Sequence, residues 1–368
     1  MEEPHALRPD DRVIDFISLM ENKRVHEAPV VDEEGKLVGF VHYKILARKN
    51  VQDPTVTKIG SIMEHIHAFN ESASVEEVAK FLFENGLRAV PVVDVTGNLV
   101  GIVSVIDVLK VLKREKIFSE KTGEEIMSPA EVIHQNEDIG KARAIMREKN
   151  ISRLPVVDDE DKLVGEVTVL DLLKAIQPKE RISWYSMAAE ELKTMDIPVS
   201  VVMNKFPITA EELTKVKDII EKLIEGGRRG CIIIKGDEPV GVVTTRDILE
   251  LWLSSKTEKG VYVQYSGLEE EDNEVMDVVD RMVSDTVRKV HSIYPVEYMH
   301  IHIKRYRKTG ERKLFSVRCR VMTTEGVFIA RGQGWDLRDA IGEAMDHLER
   351  IVKKHKEKEE IENRPKAP

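Results

Sequence analysis

Three places in this chain of 368 residues set a hydroxyl three positions before a carboxylate: Ser104 and Asp107, Thr168 and Asp171, Thr244 and Asp247. Each pair follows a short run that opens with a glycine, Gly101, Gly165 or Gly241. A hydroxyl beside the free N–H groups of a helix start favours a phosphate. A carboxylate one turn later can accept from both hydroxyls of a ribose. Together they would hold an adenosine nucleotide, its base between apolar strands. The same residues also read as plain helix caps, the carboxylate complementing the helix dipole without any ligand. Arg153 lies two residues before Pro155, where a side chain could reach a phosphate, and Arg228 and Arg229 occupy a similar stretch further on.

The elements that would position these groups come from a repeated phrase. Pro91-Val92-Val93-Asp94 leads to Leu99-Val100-Gly101, and Pro155-Val156-Val157-Asp158 to Leu163-Val164-Gly165. Earlier stand Pro29-Val30-Val31-Asp32 and Leu37-Val38-Gly39, and later Pro239-Val240-Gly241. The glycines Gly39, Gly101, Gly165 and Gly241 are 62, 64 and 76 residues apart by subtraction. A period this long means one supersecondary unit copied four times. In each unit apolar residues at helical spacing, such as Val75, Val78, Ala79 and Leu82, precede a strand, a tight turn and a returning strand. The first copy departs: His42-Tyr43-Lys44-Ile45 puts His42 and Ile45 where the others have the Ser or Thr hydroxyl and the carboxylate, and scaffolding is its expected role.

This half resembles tandem cystathionine β-synthase (CBS) domains. The carrying residues are the G-x-x-[ST]-x-x-D phrase, the Pro-Val-Val-Asp runs and the entries Ile62-Met63, Ile126-Met127 and Val202-Met203. The resemblance implies an α/β half of four CBS motifs forming two Bateman modules, 1–116 and 117–255, and a homodimer. It also implies a regulatory adenosyl ligand: AMP, ATP or S-adenosylmethionine. Ser104, Asp107, Thr168, Asp171, Thr244 and Asp247 take the phosphate and ribose positions, with Arg153, Arg228 and Arg229 beside them. The second module is the expected ligand site.

After about Ser255 the phrase stops. The pattern becomes β-α-β-β-β-α over 260–358, an α+β arrangement with both helices on one face. Met299, Ile301 and Ile303 share one side of their strand, as do Phe315, Val317, Cys319 and Val321 on the next. The opposite side shows Tyr298, His300, His302, Lys304, Ser316, Arg318 and Arg320. Nearby stand Arg305, Arg307, Lys308, Arg312 and Lys313, and the last helix carries Arg350, Lys353 and Lys354 on one face. Residues 298–331 hold nine Lys or Arg against two Glu. Such a face suits phosphates and stacked bases, hence RNA rather than DNA. An ordinary solvated face is the plain alternative.

This segment resembles the ribosome hibernation-promoting factor (protein Y) family. The resemblance rests on Asp336-Leu337-Arg338-Asp339-Ala340-Ile341, on Ala344-Met345-Asp346-His347-Leu348-Glu349-Arg350 and on the Lys353–Lys358 run. It implies binding to rRNA of the small ribosomal subunit. Residues 359–368 read as a disordered tail.

Composition narrows the rest. The chain is 42% hydrophobic and 33% charged, and no apolar run approaches a membrane span, so no membrane partner is expected. The formal charge of −10 resides entirely in residues 1–259, because 260–368 hold 20 basic and 20 acidic residues. Cys231 and Cys319 read as buried thiols in a reducing cytoplasm. His300 and His302 lack an evident third metal ligand, so no metal site is expected. Gly226-Gly227-Arg228-Arg229-Gly230 lacks the Lys-Ser/Thr of a phosphate loop, and no hydrolase motif occurs. The expectation is a non-enzymatic, adenosyl-ligand-sensing protein that silences or stores small ribosomal subunits, with pairing of two subunits as an extension. The alternatives are a CBS-regulated binder of another structured RNA, and a nucleotide sensor acting on a protein partner.

Overall fold

The computed structural model describes residues 4–23, 25–48, 51, 53–176, 196–256, 262–268, 272–307 and 313–362. The chain divides into two compact units, Met1–Lys113 and Arg114–Pro368.

In the first unit two hairpins carry the repeats: Glu27–Val31 with Leu37–His42, and Ala89–Val93 with Leu99–Ser104, the latter extended by Phe69–Asn70. The second unit repeats the plan with Arg153–Val157 and Leu163–Thr168, then with Gly230–Lys235 and Glu238–Thr244. All four hairpins break register at the same place: Val30/Val31, Val92/Val93, Val156/Val157 and Ile233/Ile234. The aspartate of the phrase explains the turns. Asp94 accepts from the N–H groups of Thr96 (2.8 Å) and Asn98 (3.0 Å), and Asp158 from those of Glu160 and Lys162 (both 3.0 Å). These carboxylates are turn-formers.

The glycine and the Ile-Met entry explain each other. A Cβ at Gly39 would lie 2.6 Å from Met63 Sδ, and one at Gly165 2.6 Å from Met203 Sδ. Met127 fills the space over Gly241 in the same way. The methionine of one repeat thus lies against the returning strand of its neighbour, which ties the repeats in pairs.

The remainder of the second unit is a sheet in the order Tyr262–Ser266, Val296–Arg307, Lys313–Thr323, Gly326–Gly334. The first two strands are parallel, joined by the helix Asn273–His291; the others are antiparallel. The terminal helix runs from Leu337 to Glu362, four residues into the stretch read as a tail; 363–368 lie outside the described residues. One sheet face forms a core with both helices: Met299, Ile301, Val317 and Cys319 against Val279, Val283, Ile341 and Leu348. The terminal helix approaches so closely that a Cβ at Gly332 would fall within 2.5 Å of Ala344 N and collide with the Ala340 carbonyl.

Candidate functional site

Each hydroxyl–carboxylate pair opens a helix. Ser104 caps Val105–Leu112, Thr168 precedes Val169–Ile176, and Thr244 caps Thr245–Ser255. In all three the carboxylate turns back on the cap. Asp107 Oδ2 accepts from Ser104 Oγ (2.6 Å) and N–H (3.0 Å). Asp171 Oδ2 accepts from Thr168 Oγ1 (2.5 Å) and N–H (2.8 Å), and Asp247 Oδ2 from Thr244 Oγ1 (2.6 Å) and N–H (2.7 Å). This is the capping box, which satisfies otherwise orphaned donors. Burial works to raise the Asp107 carboxyl, but the Ser104 bonds and Lys110 outweigh it and hold it below the usual range.

The second oxygen of each carboxylate meets a different fate. Asp107 Oδ1 pairs with Lys110 at 3.1 Å, while nothing pairs with Asp171 Oδ1 among the described residues. Asp247 Oδ1 faces Arg320 Nε of the C-terminal sheet at 3.5 Å.

The Arg153 side chain is 14% exposed and pairs with buried Glu166 at 2.5 Å. Its guanidinium lies over Gly230, in space that any Cβ there would occupy. Arg228 is exposed, whereas Arg229 is half-buried with Nη2 lacking a hydrogen-bond partner among the described residues. In the first unit Glu27, two residues before Pro29 as Arg153 is before Pro155, is buried and accepts from the N–H groups of Arg88 (2.9 Å) and Ala89 (2.5 Å). The two paired modules therefore carry opposite charges at one equivalent position. The residue count from the proline, applied to the first repeat, would have found Glu27. Arg88 itself lies 4.4 Å over the Tyr43 ring. Burial pushes the Cys231 thiol up to about 12 and raises Cys319 as well, so neither supplies a thiolate.

The basic sheet face is not open. It lies against the second repeat pair. Tyr298 is fully buried, with its hydroxyl donating to Gln264 at 2.8 Å. His300 Nε2 lies 2.7 Å from Arg246 Nη2 and 2.8 Å from Ser266 Oγ, which also reaches His302 Nδ1 at 2.8 Å. A guanidinium only donates, so His300 Nε2 accepts and the ring is neutral. Burial first, then Arg246, keeps His300 well below its ordinary value. Arg318 donates to Ser128 Oγ at 3.2 Å, and burial pulls its guanidinium down to about 10. Arg320 reaches Glu250 at 2.7 Å and the Ile126 carbonyl. Ser316 is buried and Lys304 half-buried. At the edge, Arg331 meets Glu131 at 3.2 Å and the Lys149 carbonyl at 3.1 Å.

The open face expected from the strand pattern is thus corrected: alternation groups residues on one side but does not say what covers them. Arg246, Glu250, Glu131 and Arg331 were missed. The signal available was the acidic pair Asp247 and Glu250, one helical turn apart, in a chain whose basic face lacked acids. Arg305 turns to Asp272 and to the Gly267 carbonyl (2.6 Å), and Lys313 is half-buried. Lys308, Arg312 and the Arg307 side chain lie outside the described residues. Arg350, Lys353 and Lys354 remain exposed on the terminal helix, Lys353 at 3.7 Å from Glu349. Among the described residues no helix is long and apolar enough to cross a membrane, and no group of three His, Cys, Asp or Glu could hold a metal.

The CBS domain model matches residues 1–51, 59–114, 124–178 and 199–254, well over half the chain. The chain belongs to the CBS-domain family. Its four CBS motifs are fused to a further domain, because residues 262–367 match the C-terminal domain of hibernation factor Hib. Domains of these two kinds bind and regulate rather than catalyse. The CBS protein is 28% identical over 333 residues to the uncharacterized protein MJ1404 of Methanocaldococcus jannaschii, covering 89% of this chain and 78% of that one. It is 26% identical over 269 residues to an uncharacterized 33.4 kDa protein in the ribosomal RNA operon of Thermofilum pendens, covering 67% and 87% respectively. The crystal structure of protein MJ1225 of M. jannaschii superposes with a TM-score of 0.55 at 19% identity, covering 68% of this chain and 96% of that one. That likeness extends to the fold of the CBS half.

Proposed function

We propose that this chain is an adenosyl-nucleotide-responsive ribosome-binding protein that holds small ribosomal subunits out of translation. The observation that carries the reading is the Hib C-terminal domain joined to four CBS motifs. The second CBS pair takes the ligand, AMP, ATP or S-adenosylmethionine, through Thr168 with Asp171 and Thr244 with Asp247. Arg153, Arg228 and Arg229 supply cationic groups in the same pair, while the first pair places buried Glu27 at the position of Arg153 and so disfavours an anion. The surface offered to rRNA with the sheet docked is the terminal helix, where Arg350, Lys353 and Lys354 stand exposed at i, i+3 and i+4. A homodimer carrying two such domains would pair two subunits. The Thermofilum pendens relative in a ribosomal RNA operon fits a ribosomal role.

Sedimentation of the full chain with small ribosomal subunits tests this. Salt-sensitive co-pelleting is expected, weakened by Arg350→Glu with Lys354→Glu. No co-pelleting at low salt would overturn it. Equal binding to any structured RNA would replace the ribosome with RNA of another kind.

A further inference from the structure

The three matched carboxylates do not share one environment. The Asp107 side chain is 35% exposed, whereas that of Asp247 is 8% exposed. The Thr244 cap hydrogen-bonds Oδ2 of Asp247, and Arg320 faces Oδ1 as an ion pair at 3.5 Å. Arg320 is anchored in turn by Glu250, itself 1% exposed, and by the Ile126 carbonyl. The oxygen a ribose would need is therefore the one an arginine of the C-terminal sheet takes.

Building on the nucleotide-sensing reading above, we propose that Arg320 and the ribose of an adenosyl nucleotide compete for Asp247. Occupancy of the Thr244–Asp247 site and docking of the C-terminal sheet on the second CBS pair then exclude each other. A nucleotide that wins Asp247 leaves Arg320 and Glu250 without their arrangement and lifts the sheet. Lifting uncovers Tyr298, His300, His302, Arg318 and Arg320 together, the face whose composition suits RNA. Linkage makes the effect reciprocal: whatever binds the lifted face tightens nucleotide by the same factor. The Thr168–Asp171 site is an internal contrast, since no sheet residue pairs with its carboxylate among the described residues.

The test uses the full chain carrying Asp171→Ala, so that one site of the pair titrates, with and without Arg320→Ala. AMP and ATP binding is measured by calorimetry, and oxidation of the Tyr298 and His300 side chains, both buried with the sheet docked, by hydroxyl-radical footprinting and mass spectrometry. Arg320→Ala should bind nucleotide at least tenfold more tightly, and saturating nucleotide should speed oxidation at Tyr298 and His300 at least tenfold in the protein that keeps Arg320. The footprinting needs no change at the interface, so a poorly folding Arg320→Ala does not blunt it. Nucleotide binding equally to both proteins, with footprinting unchanged, would overturn the competition and leave sensing intact. No binding of AMP or ATP to either protein, nor to the unsubstituted chain, would overturn nucleotide sensing and the competition with it.

Discussion

Replacing Arg320 with alanine should release the C-terminal sheet from the second CBS pair. The guanidinium is 3% exposed, Glu250 1% and the Asp247 side chain 8%, so its removal leaves two buried carboxylates one helical turn apart without their paired cation, and only the more distant charges of Arg318 and Arg246 remain. Breaking a buried pair from one side costs about 3–5 kcal/mol, because the orphaned charge stays desolvated. Undocking is the way out, since it returns both carboxylates to water. The loss is therefore capped by the free energy of docking itself. For a unit of this size about 3–5 kcal/mol corresponds to a fall of about 6–20 °C in Tm. Differential scanning calorimetry should show one transition for the unsubstituted second unit and an earlier, separate transition for the sheet domain in Arg320→Ala. Replacing two of the partners, Arg320→Met with Glu250→Leu, should recover part of the loss, because it removes the buried Glu250 charge and leaves only Asp247, still held by its Thr244 cap, without Arg320. A midpoint within about 1 °C of the parent, with one transition, would refute the reasoning: the carboxylates would not then be buried by the sheet in solution.

Three further outcomes are expected. His300 sits well below its ordinary value, burial being the main cause, with Arg246, His302, Arg318 and Arg320 around it and Ser266 bonded to it. A depressed folded value makes the released state the better proton binder, so stability is full above about pH 6.5 and falls as pH drops toward the folded value, by up to ~1.4 kcal/mol per pH unit. Thermal midpoints at about pH 7.5 and about pH 5 should differ more in the parent than in His300→Gln, and equal drops would clear His300. Gly230→Ala should expel Arg153 and strand buried Glu166, costing about 3–5 kcal/mol in chemical denaturation. The same change should cost much less once Glu166→Gln has removed the charge, and an equal cost in both backgrounds would place the strain in the backbone. Gly332→Ala, which sets a methyl against the Ala340 carbonyl, should cost at least about 2–3 kcal/mol and loosen the terminal helix, read as the calorimetric midpoint of the sheet domain.

The repeats were legible because their residues act locally. A Ser or Thr three before an Asp makes a cap, and an Asp before a two-strand return makes a turn, whatever lies elsewhere in the chain. The helix-bearing side of the C-terminal sheet was legible for the same reason: period two places Ile301 beside Met299 and Ile303. The other side was grouped correctly and assigned the wrong surroundings. Arg318 and Arg320 find Ser128, Asp247 and Glu250 in segments about 70 to 190 residues away, and no spacing rule links such positions. Glu27 and Arg153 illustrate the opposite case. Their equivalence was countable from the prolines, but that one holds backbone N–H groups and the other a carboxylate depends on which strand of the paired repeat arrives there.

A contact built around arginines, carboxylates and a neutral histidine has a colloidal consequence. When an oily interface parts, both halves become sticky and invite aggregation. Here each parted surface presents groups that water rehydrates readily: Arg318, Arg320 and His300 on one side, Asp247, Glu250 and Ser128 on the other. The lifted form can therefore persist in solution at ordinary concentrations, and dissolved ions, by screening its charges, ease the parting.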